Sequence, residues 1–315
     1  LILDIFALHA QSKEASLQVE LAMSVYLKPR LAGLGKTLNQ QGGGIGTRGP
    51  GETKLETDSR LIDNRINKLK KGLKKIEKQR NVQSSSRERN NIPMVSIVGY
   101  TNAGKSTLLK KLTNSDAYAA DELFATVDSL QRELKIKDVQ EPIIISDTVG
   151  FIQNLPTTLI ESFKSTLMVA TNADLLVHVV DAATALPEMH INTVSSILKQ
   201  IDAKSNEIMV FNKIDKIDKA SLNNLKDTYP EALFVSSIKG EGLIELIEKI
   251  AEEIYGSTTF QSFKVNPSKL DTIAKFGKIL NVKNESDYLV LEVEMREKLI
   301  NRLVELKIME ENLNA

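Results

Sequence analysis

Gly99-Tyr100-Thr101-Asn102-Ala103-Gly104-Lys105-Ser106 fits the pattern G-x-x-x-x-G-K-[ST] of a phosphate-binding loop. Immediately before it, Met94-Val95-Ser96-Ile97-Val98 reads as a buried strand bounded upstream by Pro93. Immediately after it, Thr107-Leu108-Leu109-Lys110-Lys111-Leu112 reads as the opening turns of a helix. That strand–loop–helix setting is the context in which the motif carries chemistry. Glycines let the backbone approach phosphate oxygens without a Cβ in the way. Successive N–H groups and the helix N-terminus then offer positive charge to an anion. In this pattern Lys105 reaches the β- and γ-phosphates and Ser106 ligates Mg²⁺.

Outward from the loop, strand and helix alternate. Strands are expected at 94–98, 131–137, 142–146, 174–180, 207–211 and 232–236, and helices at 105–113, 157–170, 188–202, 219–227 and 241–254. This is the pattern of an open α/β sheet with helices on both faces. A short turn with Asp138 and Pro142 makes 131–137 and 142–146 an antiparallel pair. After Gly256, strands at 278–283 and 288–293 with helices at 267–275 and 295–307 suggest a small α+β tail without recognisable chemistry.

Two more motifs follow strand ends in the α/β region. Asp147-Thr148-Val149-Gly150 comes after Ile143-Ile144-Ile145, which places Asp147 to hold the Mg²⁺ shell and the Gly150 N–H to meet a γ-phosphate. Asn212-Lys213-Ile214-Asp215 matches a guanine-reading signature. The Asp215 carboxylate can accept hydrogen bonds from the ring N–H and exocyclic amine of guanine, a donor pair that adenine lacks. Ser236-Ser237-Ile238 falls where a backbone N–H would meet the guanine carbonyl. Together these make GTP or GDP the expected ligand. Thr126, between the first helix and the second strand, is spaced to close on Mg²⁺ and the γ-phosphate. Phe151 stands where some GTPases carry a glutamine that orients the attacking water, so hydrolysis is expected to be slow unless another element helps. The loop alone leaves open whether Asn102 helps to hold a K⁺ ion or merely caps the loop. His178 lies in an apolar strand and reads as a core histidine; His9 and His190 have no partners at metal-ligand spacing.

Upstream, Ser12–Lys28 reads as a helix capped by Ser12, with Pro29 kinking or ending it. Gln41–Glu52 is too rich in glycine for a helix and reads as a loop. From Thr53 the chain is helical again, with Ile62, Ile66, Leu69, Leu73 and Ile76 at alternating spacings of four and three. The two arms form an antiparallel hairpin with the glycine-rich loop at its tip. Between Arg60 and Arg89 there are eleven basic and three acidic residues in a chain of zero net charge, which marks this arm for a polyanion. Ser84-Ser85-Ser86 and Asn90-Asn91 read as a linker. The expected division is therefore 1–91, 92–256 and 257–315.

Composition narrows the remaining classes. With no cysteine the chain has no disulfide, thiolate metal site or cysteine nucleophile, which fits a reducing cytoplasm. No apolar run approaches a membrane span. The chain begins at Leu1 without methionine, which suggests a missing N-terminal part, and Leu1–Ala7 reads as a strand or the start of a buried helix.

The segment Gly44–Asp58, with Phe124-Ala125-Thr126-Val127-Asp128, Asp147–Phe151 and the loop Gly99–Ser106, resembles HflX-type GTPases over roughly residues 1–255. The resemblance implies a P-loop GTPase domain preceded by a helical hairpin, with residues 1–10 as the last strand of an N-terminal α/β subdomain. It extends the nucleotide site to Tyr100, Thr101, Ala103, Thr107, Phe124 and Lys213. It implies association with the large ribosomal subunit and its rRNA, ribosome splitting under stress, a cytoplasmic monomer, and a hydrophobic residue at Phe151. Ser129 and Leu130 depart from the proline and threonine common there. Two alternatives stay open. One is a nucleotide-gated rRNA-binding switch or assembly factor with minor hydrolysis. The other, an RNA-modifying GTPase, needs a second catalytic centre, and 257–315 shows none.

Overall fold

The structure, a computed structural model, describes residues 2–10, 12–39, 50–89, 92–114, 130–137, 139–148, 150–151, 164–285 and 287–311. Its N-terminal element is a helix, α1 (Ile2–His9), and the strand expected at 1–10 is not formed. Leu3 and Phe6 sit one turn apart and pack, with Ile5, on Ala15, Val19 and Ala22 of the next helix. Alternating strand faces could not present that pair together.

In α2 (Lys13–Asn39), Ser12 caps the start by accepting the Ala15 N–H at 3.0 Å. The helix continues through Pro29 instead of ending there. Proline removes one backbone donor. Beside it, Arg30 Nη1 donates to the Tyr26 carbonyl at 2.8 Å and the guanidinium covers the Tyr26 ring. The opposite arm, α3 (Pro50–Arg89), pairs with the helix before that point: Lys28 with Asp63 at 2.5 Å, and Arg65 with Glu20. Leu17, Leu21 and Val25 meet Ile62, Ile66, Leu69 and Leu73 along the expected seam. α3 also runs through Ser84-Ser85-Ser86, where a linker was expected. A penalty of about 0.5 kcal/mol per serine is too small to end a helix already nucleated. The glycine-rich tip at 40–49 and Asn90-Asn91 lie outside the described residues.

The α/β unit holds a six-stranded sheet in the order β2-β3-β1-β4-β5-β6. The strands are β1 (Met94–Gly99), β2 (Gln131–Ile136), β3 (Val139–Asp147), β4 (Leu175–Asp181), β5 (Asn206–Asn212) and β6 (Leu233–Val235). β2 is antiparallel to β3, and the other neighbours are parallel. The helices are α4 (Lys105–Thr113), α5 (Lys164–Thr171), α6 (Pro187–Gln200), α7 (Lys219–Thr228) and α8 (Leu243–Tyr255). Apolar runs such as Ile143, Ile145, Leu175 and Val177 are buried because helices cover both faces of a parallel sheet.

The C-terminal unit is a four-stranded antiparallel sheet in the order β10-β7-β9-β8. β7 (Thr258–Val265) was not expected, and β8 (Gly277–Asn284), β9 (Leu289–Arg296) and β10 (Glu310–Glu311) complete it. The tail helices are shorter than expected: α9 (Leu270–Ile273) and α10 (Glu297–Glu305). Phe263, Val265, Leu291 and Leu303 share one buried cluster with Leu134, Ile136 and Tyr255, so this sheet sits against the β2–β3 hairpin and α8. Arg302 Nη1 donates to both carboxylate oxygens of Glu141 on β3 at 2.9 Å. Arg302→Ala should leave Glu141 half-buried without that partner and lower stability by about 1–2 kcal/mol. A urea midpoint equal to that of the unmodified chain would make the pair one of the many that contribute nothing.

Candidate functional site

The carboxyl ends of β1, β3, β4, β5 and β6 lie along one edge of the sheet. The connection after β1 runs to β2 at one edge of the sheet while the connection after its neighbour β3 runs the other way to β4, which opens a crevice at this edge. The loop 99–106 fills the start of that crevice. Gly104 has φ 89, and a Cβ there would fall 2.3 Å from Asn212 Nδ2, so glycine is required by backbone and space alike. Lys105 is buried at the first position of α4, and its Nζ donates to the Tyr100 carbonyl at 3.2 Å. Burial pushes the Lys105 ammonium below its ordinary pKa, and the Asp147 carboxylate pulls it partly back. A buried cation inside a loop of backbone donors is arranged for an anion. Thr107 follows in the first turn of α4, half-buried.

Ser106 Oγ donates to Asp147 Oδ2 at 2.5 Å. A hydroxyl and a carboxylate in contact form a hard oxygen donor pair, which fits Mg²⁺. Asp147 ends β3 in register with Ile97 of β1, and Thr148 Oγ1 donates to the Ile97 carbonyl at 2.8 Å. The segment is thereby fastened beside the loop. Gly150 lies against the loop: a Cβ there would come within 2.9 Å of Thr101 Cα and 3.1 Å of Lys105 Nζ. Phe151 continues this contact through its backbone, accepting from Thr101 N at 2.8 Å and donating to the Gly99 carbonyl at 3.1 Å. Its ring is buried with Val98, Leu167, Leu176 and Val194. Phe151 therefore has a packing role and no polar atom to offer a water.

On the other flank, Asn212 Nδ2 donates to the Ala103 carbonyl at 3.0 Å, and Asn212 Oδ1 accepts from the N–H and hydroxyl of Ser237 at 3.0 and 2.8 Å. The Ser237 N–H, one of those the sequence offered to a guanine carbonyl, is here given to Asn212. Asp215 Oδ1 accepts from Ser236 Oγ at 2.6 Å, which ties the carboxylate to the loop after β6. A carboxylate has about four acceptor sites, so it retains capacity for two further donors. Ile238 is largely exposed beside them, at 62%. Lys213 bridges the two flanks: its Nζ donates to the Asn102 carbonyl at 2.7 Å and to Asp181 Oδ2 at 2.8 Å. Asn102 is exposed and has φ 60.

Asp181 is the residue that the motifs missed. It ends β4 in register with Asn212. Its signal was an acid closing an apolar strand, which has meaning only when that strand lies next to β5. Phe124 and Thr126 lie outside the described residues. His178 is a core residue, buried with Nδ1 2.7 Å from Glu207 Oε1. Among the described residues no group of three or more His, Cys, Asp or Glu could hold a metal, and no helix is long and apolar enough to cross a membrane.

Two family models match in chain order. One described as "GTP-binding GTPase Middle Region" covers residues 9–87, and one described as "50S ribosome-binding GTPase" covers 94–213. The chain is 49% identical over 264 residues to GTPase HflX of Caldanaerobacter subterraneus subsp. tengcongensis, covering 84% of this chain and 60% of that protein. It is 40% identical over 288 residues to GTPase HflX of Escherichia coli, covering 90% of this chain and 67% of that protein. Among solved structures, the SsGBP–GDP complex is similar with a TM-score of 0.50 and 30% identity over 80% of this chain and 71% of that one. This chain thus spans about three fifths of the length of the first of these relatives, at 60%. Matched across two thirds of the Escherichia coli protein, with the hairpin and the first five strands of the α/β sheet each under its own family model, the chain belongs to the HflX family of GTPases.

Proposed function

We propose that this chain binds GTP at the crevice edge, hydrolyses it to GDP and phosphate, and associates with the large ribosomal subunit in a nucleotide-dependent way, splitting or rescuing ribosomes under stress. The observation that carries the nucleotide role is the convergence of Lys105, the Ser106–Asp147 pair, Asn212 and Asp215 on one edge. In this assignment the N–H groups of Gly99–Ser106 and Lys105 hold the phosphates, and Thr107 continues the contact at the start of α4. Ser106, Asp147 and Thr126 hold Mg²⁺, which supplies charge neutralisation on the β- and γ-oxygens. Gly150 offers its N–H to the γ-phosphate. Asp215 reads the guanine edge, supported by Asn212, Lys213 and the 236–238 loop, and Phe124 is assigned with Thr126 to the same nucleotide. Asn102 is assigned to a K⁺ ion at the phosphates, which adds positive charge where an arginine would otherwise act.

Hydrolysis breaks the bond between the γ-phosphorus and the bridging oxygen as water attacks in line, and charge placement does most of the work. The buried Phe151 ring favours slow basal turnover, raised by the ribosome. The same observation supports the second reading, a nucleotide-gated rRNA switch with minor turnover. Single-turnover hydrolysis with and without large subunits separates them: stimulation supports the enzyme, and none supports the switch.

The ribosomal role is supported by the match of 94–213 to a family of 50S ribosome-binding GTPases and by the basic arm. Lys70, Lys71, Lys74 and Lys75 are exposed on α3, while Ile66 and Leu69 are buried in its seam. At about 1.5 Å per residue, the helix Pro50–Arg89 is on the order of 60 Å long, a length suited to reaching rRNA in a subunit interior. The proposal includes a cytoplasmic setting, where ribosomes work, and action as a monomer. Neutralising the four lysines should weaken subunit binding and lower the slope of log K against log salt by about 0.7–0.9 for each phosphate no longer neutralised. A variant that keeps the original slope would remove α3 from the RNA contact.

A further inference from the structure

Tyr100 is the second residue of the phosphate loop, a position that the motif leaves free. Its ring lies flat on the His190 imidazole, with centroids 3.9 Å apart and planes within 7°. His190 sits in the first turn of α6, three residues after the proline that opens the helix, and its N–H donates to the Leu186 carbonyl at 3.3 Å. The Tyr100 carbonyl accepts the Ala103 N–H at 3.2 Å and Lys105 Nζ at 3.2 Å. On either side of Tyr100, the Gly99 carbonyl and the Thr101 N–H are bonded to Phe151. One residue thus joins a rigid helix, the phosphate-facing lysine and the segment after Gly150.

A second brace holds the loop two residues further on. Asp181 holds Lys213, and Lys213 holds the Asn102 carbonyl. Asp181 also lies close enough to His190 to favour its charged form, against a larger burial effect that favours the neutral ring. Two nearby points of the loop, Tyr100 and Asn102, are therefore held by neighbouring elements through a ring and a carbonyl, which leaves other loop N–H groups for the phosphates. A cradle of N–H groups binds tightly when its ordering cost has been met before the ligand arrives.

We propose that His190 is a positioning residue for the phosphate loop: by stacking on Tyr100 it holds the loop in its phosphate-cradling shape and slows the release of bound nucleotide. This rests on the assignment of the crevice to a guanine nucleotide. His190 does not touch the nucleotide in this role, and its partner in the work is the Tyr100 ring.

The test is the release of N-methylanthraniloyl-GDP, chased with excess GDP, from the unmodified chain, His190→Ala and His190→Phe. Removing one ring of an aromatic pair should speed release by about 2- to 12-fold. His190→Phe should return the rate to within about twofold of the original, because a planar ring is restored without the imidazole nitrogens. Tyr100→Leu should speed release similarly, and adding His190→Ala to it should change little more, as for two halves of one contact. Thermal unfolding of the nucleotide-free variants gives the readout for a general structural role and should stay near that of the unmodified chain. Should His190→Ala lose its folding transition, His190→Gln carries the same comparison. Unchanged release in His190→Ala, release in His190→Phe as fast as in His190→Ala, or additive effects with Tyr100→Leu would overturn the proposal. An unmodified chain that holds no labelled GDP would overturn the site assignment itself, and the role of His190 with it.

Discussion

Lys105→Ala should cost about 10²-fold or more in GTP affinity while leaving the fold intact. The ammonium is buried at the start of α4 and bonded to a loop carbonyl, where phosphate oxygens are its natural replacement partners. Charge-assisted hydrogen bonds contribute about 1.5–3 kcal/mol each, and a lysine that serves two phosphates makes at least two. The nucleotide-free fold should lose little, because burial already disfavours the charged amine. Removing it relieves that cost even as it removes some packing. Titration with a fluorescent GTP analogue and a thermal melt of the nucleotide-free variant separate the two effects. Tight binding by the variant would remove Lys105 from the phosphate site; an unfolded variant would show that it serves the core.

Asp215→Asn should exchange the preferred base, lowering GTP affinity by on the order of 10²–10⁴ and raising that for xanthosine triphosphate. The carboxylate accepts from guanine's N–H pair; an amide presents a donor in place of one acceptor and so faces guanine's amine with the wrong sign. Xanthine carries an oxygen at that position and accepts from the amide. The substitution keeps one local contact, since asparagine can still accept from Ser236 Oγ, which lies 2.6 Å from Asp215 Oδ1. The 236–239 loop should therefore stay in place, which makes a change in base preference readable as recognition. Competition between the two nucleotides for the variant measures it, and unchanged GTP affinity would move the base site elsewhere.

Local sequence was enough to find the residues of the candidate crevice wherever a short motif follows a strand. Gly99–Ser106, Asp147–Gly150 and Asn212–Asp215 each announce themselves within a few residues, and the sheet brings their strand ends to one edge. What local sequence could not show depends on pairing across the chain. Asp181 gains its role because β4 registers with β5 and sets it beside Lys213. The Tyr100–His190 stack joins residues on a loop and a distant helix, with no pattern linking them. Phe151 was legible as a residue unable to orient water, but its backbone bonds to the loop needed the fold. The misread elements have similar causes. Pro29 looks like a helix end until the second arm packs on the first. β7 mixes Thr, Gln and Ser with Phe, and becomes a strand because β9 lies beside it along its whole length. Residues 1–10 were apolar enough for either state, and packing on α2 decided for helix.

Co-sedimentation with purified large ribosomal subunits, in the presence of GTP, a non-hydrolysable GTP analogue or GDP, tests most directly whether the crevice governs ribosome binding. The expected result is firm co-sedimentation with the analogue, much weaker binding with GDP, and loss of the difference in Lys105→Ala. Equal binding in all nucleotide states, or none in any, would contradict it.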